Sequence, residues 1–204
     1  MTIPGAAPAA PASRVPEPSW FDRPALEVAR DLLGARLVHD APAGRVAGRI
    51  VEVEAYRGPE DLAAHSSRGV TARNAVMFGP PGHLYVYLVY GLHHCANVVC
   101  GPGDKPEAVL LRAAAIDEGI DLARTRRGPV PDRRLAAGPG NLGRAFGLDR
   151  SLNGLDLLTG PVRVEPGPPA GPLRHGPRIG VDYAGRWAVR PYRLWIDGDP
   201  HVSR

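Results

Sequence analysis

The chain has 204 residues, 44% apolar and 23% charged, with 25 Gly, 23 Pro and a formal net charge of +4, which is room for one domain with a core of its own. No apolar run approaches the roughly 20 residues a membrane-spanning helix needs, and the first residues lack the charged start and apolar segment of a secretory signal, so a soluble intracellular protein without membrane association is expected. Residues 1–120 carry 11 Lys and Arg against 13 Asp and Glu, residues 121–204 carry 14 against 8, and a basic second half suits either a polyanion such as DNA or RNA or a solvated face.

Residues 1–18 are rich in Ala and Pro with little to bury, and read as a disordered tail. Pro24 followed by Leu26, Ala29, Leu32 and Leu33, with Gly34 as a stop, predicts a helix over 23–33. Residues 36–40 and 45–56 alternate with period two around the turn residues 41–44 and predict a hairpin. Its second strand should put Ile50, Glu52, Glu54 and Tyr56 on one face and Val51, Val53 and Ala55 on the other. Residues 57–82 are polar and Gly-rich, a long connection of the kind that usually carries function. A second hairpin is expected over 84–99 with Tyr90 near its turn, then a strand at 108–114 and helices at 117–127 and 139–146. Strands follow at 155–164, 178–183 and 192–197, with a loop through the Pro-rich stretch 161–177. Short helices among hairpin-linked strands predict an α+β single domain around an antiparallel or mixed sheet, with flanking helices and a protruding hairpin.

Two features point to chemistry. Glu52 and Glu54 share a strand face at roughly 6.5–7 Å, twice the rise per residue, which suits general acid and base work on an acetal-like bond or an ordinary solvated face. Three of the six tyrosines, Tyr85, Tyr87 and Tyr90, fall within six residues. Tyr85 and Tyr87 share a face, and a tyrosine at a hairpin turn could act as a wedge between stacked bases. His93, His94 and Cys95 lack a metal-ligand pattern, and the two cysteines, Cys95 and Cys100, can build neither a disulfide framework nor a four-ligand zinc site. No phosphate-binding glycine loop, G-x-G-x-x-G or G-x-S-x-G occurs, so kinase, dehydrogenase and esterase readings have no support, and no cofactor or metal is expected.

The runs GRIVEVEAYRGPEDLAAHSSRG, MFGPPGHLYVYLVYGLHHCANVV and AVLLRA, with AAGPGNLGRAFGL at 136–148 and RIGVDYAGRWAVRPYRLWI near the C-terminus, closely resemble the alkyladenine DNA glycosylase family, the 3-methyladenine DNA glycosylases of mammalian type. The resemblance covers residues 20–203, making 19–204 one glycosylase domain. It implies that Glu54 is the catalytic glutamate that activates water for attack on the sugar of a flipped nucleotide, and that Arg112 positions glutamate and water. It implies a base pocket of Tyr56, His65, Tyr87 and Asn97, intercalation by Tyr90, and DNA contacts at Thr71 and Met77. The chain is one residue shorter than the mammalian pattern between His65 and Thr71, and Asn141 stands where relatives can carry a lysine.

The expected partner is double-stranded DNA with damaged purines, and the expected state a monomer. The activity implied is monofunctional hydrolytic excision of alkylated purines such as 3-methyladenine and 7-methylguanine, extending to the deaminated purine hypoxanthine. With Lys105 as the sole lysine, the amine nucleophile that strand cleavage through a Schiff base requires is scarce. The alternatives are a non-catalytic binder of distorted DNA and a carbohydrate glycosidase using Glu52 and Glu54. The second would need sugar-stacking tryptophans, and Trp20, Trp187 and Trp195 lie outside the tyrosine and glutamate region.

Overall fold

The structure is a computed structural model describing residues 15–103, 105–167 and 171–203. Most of the expected tail, residues 1–14, lies outside the described residues; its last residue, Pro18, opens a 3-10 turn over Pro18–Trp20.

Helix α1 (Ala25–Leu32) is shorter at both ends than the sequence pattern suggests, with Pro24 at its N-cap and Gly34 at φ +94° just beyond it. Its buried stripe of Ala25, Val28, Ala29 and Leu32 is the i, i+3, i+4, i+7 spacing of an amphipathic helix. Strands β1 (Arg36–Ala41) and β2 (Gly44–Tyr56) form the first hairpin, β3 (Leu84–Val89) and β4 (His93–Cys100) the second, and β5 (Glu107–Glu118) runs longer than expected. Helices α2 (Ile120–Arg127) and α3 (Pro139–Phe146) follow, then the short strands β6 (Val162–Glu165), β7 (Leu173–Gly176) and β8 (Arg193–Ile196). All pairings are antiparallel, in the order β3-β4-β5-β2-β1-β6. On the side away from β5, β2 pairs β1 along residues 44–49 and β8 along residues 52–54, and β8 in turn pairs β7. This is the α+β single-domain architecture expected, with a protruding second hairpin.

Three expectations fail for identifiable reasons. The strand read over 155–164 is limited to Val162–Glu165, because Asp156 turns the preceding chain through hydrogen bonds from Leu158 N–H and Thr159 Oγ1. The strand read over 178–183 does not form: Gly180 sits at φ +75°, a 3-10 segment begins at Asp182, and the Ile179 N–H donates to the Glu54 carboxylate instead of a ladder. The stretch read as a loop over 161–177 contains both β6 and β7, the latter an exposed strand without an inward face and so without alternation to read. The parity of β2 also breaks. Register shifts flank Glu52, so Ile50 joins Val51, Val53 and Ala55 in the core and leaves the two glutamates and Tyr56 on the other face.

The core lies between the sheet and helices α1 and α3, around Phe21, Leu32, Leu37, Leu111, Leu142 and Phe146. Helix α3 approaches the second hairpin closely because residue 143 is glycine: a Cβ there would lie 2.3 Å from the His94 carbonyl oxygen.

Candidate active site

Glu54 stands on the central strand β2, opposite Leu110 of β5 and Arg193 of β8. The register shift between Glu52 and Val53 leaves Arg112 of β5 unpaired across the ladder, and its side chain reaches both glutamates. Nε lies 2.8 Å from Glu52 Oε1 and Nη1 lies 3.2 Å from Glu54 Oε1. Both carboxylates are fully buried, yet their environments differ. Glu52 also accepts from Arg193 Nε at 2.8 Å, Ser203 N–H at 2.7 Å and Ser203 Oγ at 2.9 Å. Burial alone would raise its pKa, but the Arg112 charge and the Ser203 donors outweigh that and hold it below the ordinary carboxylate range. Glu54 accepts the Ile179 N–H at 2.9 Å and the Tyr56 hydroxyl at 2.9 Å. Here burial wins over Arg112 and the two donors, and the pKa is raised. The two glutamates, read from the sequence as an acid–base pair or a solvated face, are not solvated: both are buried, and their surroundings push their pKa values apart, the kind of divergence that separates the behaviour of neighbouring acids.

Beside Glu54 opens a cleft of about 610 Å³ lined by Tyr56, His65, Met77, Tyr85, Tyr87, Asn97 and Arg112 among others. Glu54 is not itself on the surface of the cleft; it sits behind Tyr56, Arg112 and Ile179, which touch it and do line the cleft. The walls are aromatic. His65 packs edge-on to Tyr87 with centroids 4.6 Å apart, and Tyr85 lies 5.2 Å from Tyr87. His65 Nδ1 and the Tyr85 hydroxyl share a hydrogen bond of 2.9 Å. Burial, then the Arg73 and Arg68 charges, lower the His65 pKa to about 4, so the imidazole is neutral at pH 7. Burial likewise keeps the phenols of Tyr56, Tyr85 and Tyr87 protonated, with Tyr85 raised to about 12. Asn97 donates from Nδ2 to the Tyr85 carbonyl at 3.1 Å.

Most residues singled out from the sequence converge here: Tyr56, His65, Tyr87, Asn97, Arg112 and Met77 line one cleft, with Glu54 behind it. Met77 is only 3% exposed, packed with Tyr85, Val99 and Ala108, so it faces the cleft interior and not an open surface. Thr71 lies outside this cleft, in a neighbouring one of about 380 Å³ with Arg68, Arg73 and Asn74, its hydroxyl donating to Asn74 Oδ1 at 2.9 Å. Tyr90 stands at the rim on the hairpin tip, 90% exposed, beside the 79% exposed Leu92. Among the described residues it is the only non-glycine residue with positive φ, at 51°. It is followed by Gly91 at φ +69° in a turn closed by Leu92 N–H donating to the Val89 carbonyl.

Sequence reasoning assigned no role to Arg73, Arg178, Ile179, Asp61 or Tyr183. Arg73 lies over the Tyr87 ring at 5.1 Å, and Tyr183 is 64% exposed at the cleft edge. The signals were an arginine inside the otherwise apolar run at 178–181 and an acid two residues after a turn proline, neither of which shows its partner without the fold.

A family model described as "Methylpurine-DNA glycosylase (MPG)" matches residues 19–200, a span containing every cleft residue named above. The chain belongs to the methylpurine-DNA glycosylase family. Proteins named "Putative 3-methyladenine DNA glycosylase" are similar to it over most of their length. The one from Streptomyces avermitilis is 52% identical over 190 residues, 90% of this chain and 88% of that protein. The one from Methanocella arvoryzae is 50% identical, covering 91% and 94%, and that from Myxococcus xanthus 48% identical, covering 91% and 92%. As a DNA glycosylase the protein is a hydrolase of N-glycosyl bonds whose substrate is DNA and whose role is repair of alkylated purines. Among the described residues of this glycosylase no helix is long and apolar enough to cross a membrane.

Proposed function

We propose that this glycosylase acts as a monomer that flips an alkylated purine out of duplex DNA and excises it hydrolytically, with Glu54 as the base that activates water. The observation that carries this reading is a buried carboxyl with a raised pKa behind an aromatic cleft, held by Arg112, Tyr56 and the Ile179 amide. The Arg112 charge, the Tyr56 hydroxyl and the Ile179 amide each favour the ionised carboxylate, the form able to take a proton from water.

Alkylation at a ring nitrogen makes the purine cationic, as in 3-methyladenine and 7-methylguanine. A cation over an aromatic face gains roughly 0.5–2 kcal/mol, depending on desolvation. Tyr56, Tyr87 and the neutral His65 supply such faces. In the reaction the water oxygen bonds to the sugar C1′ while the bond from C1′ to the purine nitrogen breaks. The electron pair of that bond neutralises the cationic ring, so the base leaves without a general acid, and the water proton passes to Glu54. Arg112 stabilises the ionised carboxylate and orients it, and Asn97 shapes the inner edge of the pocket. Hypoxanthine, a neutral base, is a slower substrate because its leaving group must gain a proton elsewhere. Extrusion costs a few kcal/mol of unstacking, least at damaged or mispaired positions, and Tyr90 fills the gap in the stack. Thr71 contacts the DNA backbone beside the cleft, and Met77 meets the extruded nucleotide inside it.

Binding of distorted DNA without chemistry is the second reading, favoured by the complete burial of Glu54 in the free protein. One experiment separates them: release of free base from a methylated duplex and from a hypoxanthine-containing duplex by wild type and by Glu54→Gln. Wild type is expected to release base at least a thousandfold faster than the variant, with binding to the damaged duplex retained in both. Equal release by both overturns the role of Glu54; binding without release by wild type favours the second reading.

A further inference from the structure

Arg178 is an arginine whose side chain is fully buried, as is that of its partner Asp61. The two form a forked pair, Nη1 to Oδ2 at 2.5 Å and Nη2 to Oδ1 at 2.8 Å, a geometry that a guanidinium makes and an ammonium does not. Asp61 is fixed in turn by the backbone N–H groups of Arg57 and Ala63, each at 3.1 Å. The same guanidinium donates to the Ala55 carbonyl at 2.9 Å and the Trp187 carbonyl at 3.2 Å. It lies between two rings, 4.7 Å from the centroid of Tyr56 and 5.3 Å from that of Tyr192. One side chain therefore ties together β2, the connection after it, and the segments on either side of Asp182.

These ties converge on Glu54. Ala55, whose carbonyl Arg178 holds, lies between Glu54 and Tyr56. The Tyr56 ring against the guanidinium ends in the hydroxyl that donates to Glu54 Oε2, and the residue after Arg178 supplies the amide that donates to Glu54 Oε1. Of the three groups that hold the Glu54 carboxylate, two are placed by Arg178 and the third is Arg112.

We propose that Arg178, locked by Asp61, is a positioning residue for Glu54, setting the Tyr56 hydroxyl and the Ile179 amide against its two oxygens. This rests on the reading of Glu54 as the base. A misplacement of about 1 Å at a reacting group can cost on the order of a hundredfold in rate even when the altered residue lies away from the chemistry. Arg178→Lys keeps the charge but loses the fork and the flat stack on Tyr56. Loosening two donors to the ionised form makes protonation of Glu54 easier, so its activity should fade at a higher pH on acidification. The other titratable groups around Glu54 are Arg112, Glu52, Tyr56, Tyr87 and Cys95, and all remain in the variant.

The test is single-turnover base release from a methylated duplex between pH 5 and 8, with duplex binding and thermal midpoint measured in parallel, for wild type, Glu54→Gln, Arg178→Lys and the neutral pair Asp61→Asn/Arg178→Gln. Arg178→Lys is expected to be slower by tenfold or more with binding within twofold of wild type, and its acid limb displaced upward. Inert wild type, or Glu54→Gln as fast as wild type, removes the premise and the positioning role with it. If the premise holds and Arg178→Lys keeps rate and acid limb, the proposal alone is overturned. Loss of rate in step with binding and thermal midpoint, with the limb unmoved, makes the pair structural and also overturns it. Should Arg178→Lys not fold, the neutral pair is judged by the same criteria, and failure of both to fold overturns the proposal.

Discussion

Glu52 and Glu54 share one arginine, Arg112, at 2.8 and 3.2 Å, and their pKa values move in opposite directions. The difference comes from what else each accepts. Glu52 takes donors from Arg193 and Ser203 on both oxygens, while Glu54 takes one amide and one phenol and is the more deeply desolvated. Arg112 thereby rests with Nε on the carboxylate more firmly held in its ionised form and reaches Glu54 with Nη1. Glu52→Gln should loosen Arg112 and, through it, Glu54, read as slower base release from a methylated duplex; release at the wild-type rate would overturn that link.

Acid should weaken the fold in a window set by His65. Its folded pKa of about 4 lies below the ordinary value of 6.5, so the unfolded chain binds the proton first as pH falls. The stability tied to the neutral ring is complete above about pH 6.5 and is lost as pH falls towards 4. Urea midpoints measured at intervals from pH 7 to 4 should decline, and His65→Gln, which cannot titrate, should flatten the upper part of that decline. A slope unchanged by the substitution would assign the acid sensitivity to other groups.

Tyr90→Ala should leave the thermal midpoint within a few degrees of wild type, since a 90% exposed ring contributes little to packing. Excision from duplex DNA should drop by tenfold or more, while excision from a single-stranded methylated oligonucleotide, where little stacking need be broken, should drop much less. Equal losses on both substrates would count against a wedge.

Strand cleavage by a Schiff base at Lys105, the only side-chain amine beside the α-amino group of the chain, should be absent. Lys105 pairs with Glu60 and Glu107, both at 2.8 Å, and these hydrogen bonds raise its pKa, so the amine stays protonated and unreactive at neutral pH. It does not line the cleft. Borohydride reduction during turnover should therefore trap no covalent adduct through Lys105; an adduct lost on Lys105→Arg would overturn hydrolysis as the sole outcome.

Local punctuation decided how much of the fold could be read. Helix α3 was legible to the residue because Pro139 opens it and Gly147, at φ +72°, closes it. The second hairpin was legible because its run of strand-forming residues is interrupted only at Tyr90 and Gly91. Strand β7 was not, since its pairing with β8 is the only thing that makes it a strand. In the site, Glu54, Tyr56, His65, Tyr87 and Asn97 could be named through family resemblance. The division between Glu52 and Glu54 could not: it depends on Ser203, 151 residues from Glu52, and on a register shift that moves Ile50 into the core. Arg178 was hidden for the same reason, its carboxylate partner lying 117 residues away.

The backbone at Tyr90 sets two demands against each other. A left-handed conformation disfavours a bulky side chain by roughly 1–2 kcal/mol, and Gly, Asn or Asp would suit that turn better. Any of them should make the isolated protein harder to unfold. None would put a ring at the tip of the hairpin. A screen that rewards heat resistance alone should thus discard the tyrosine early and yield sturdier proteins that repair DNA poorly.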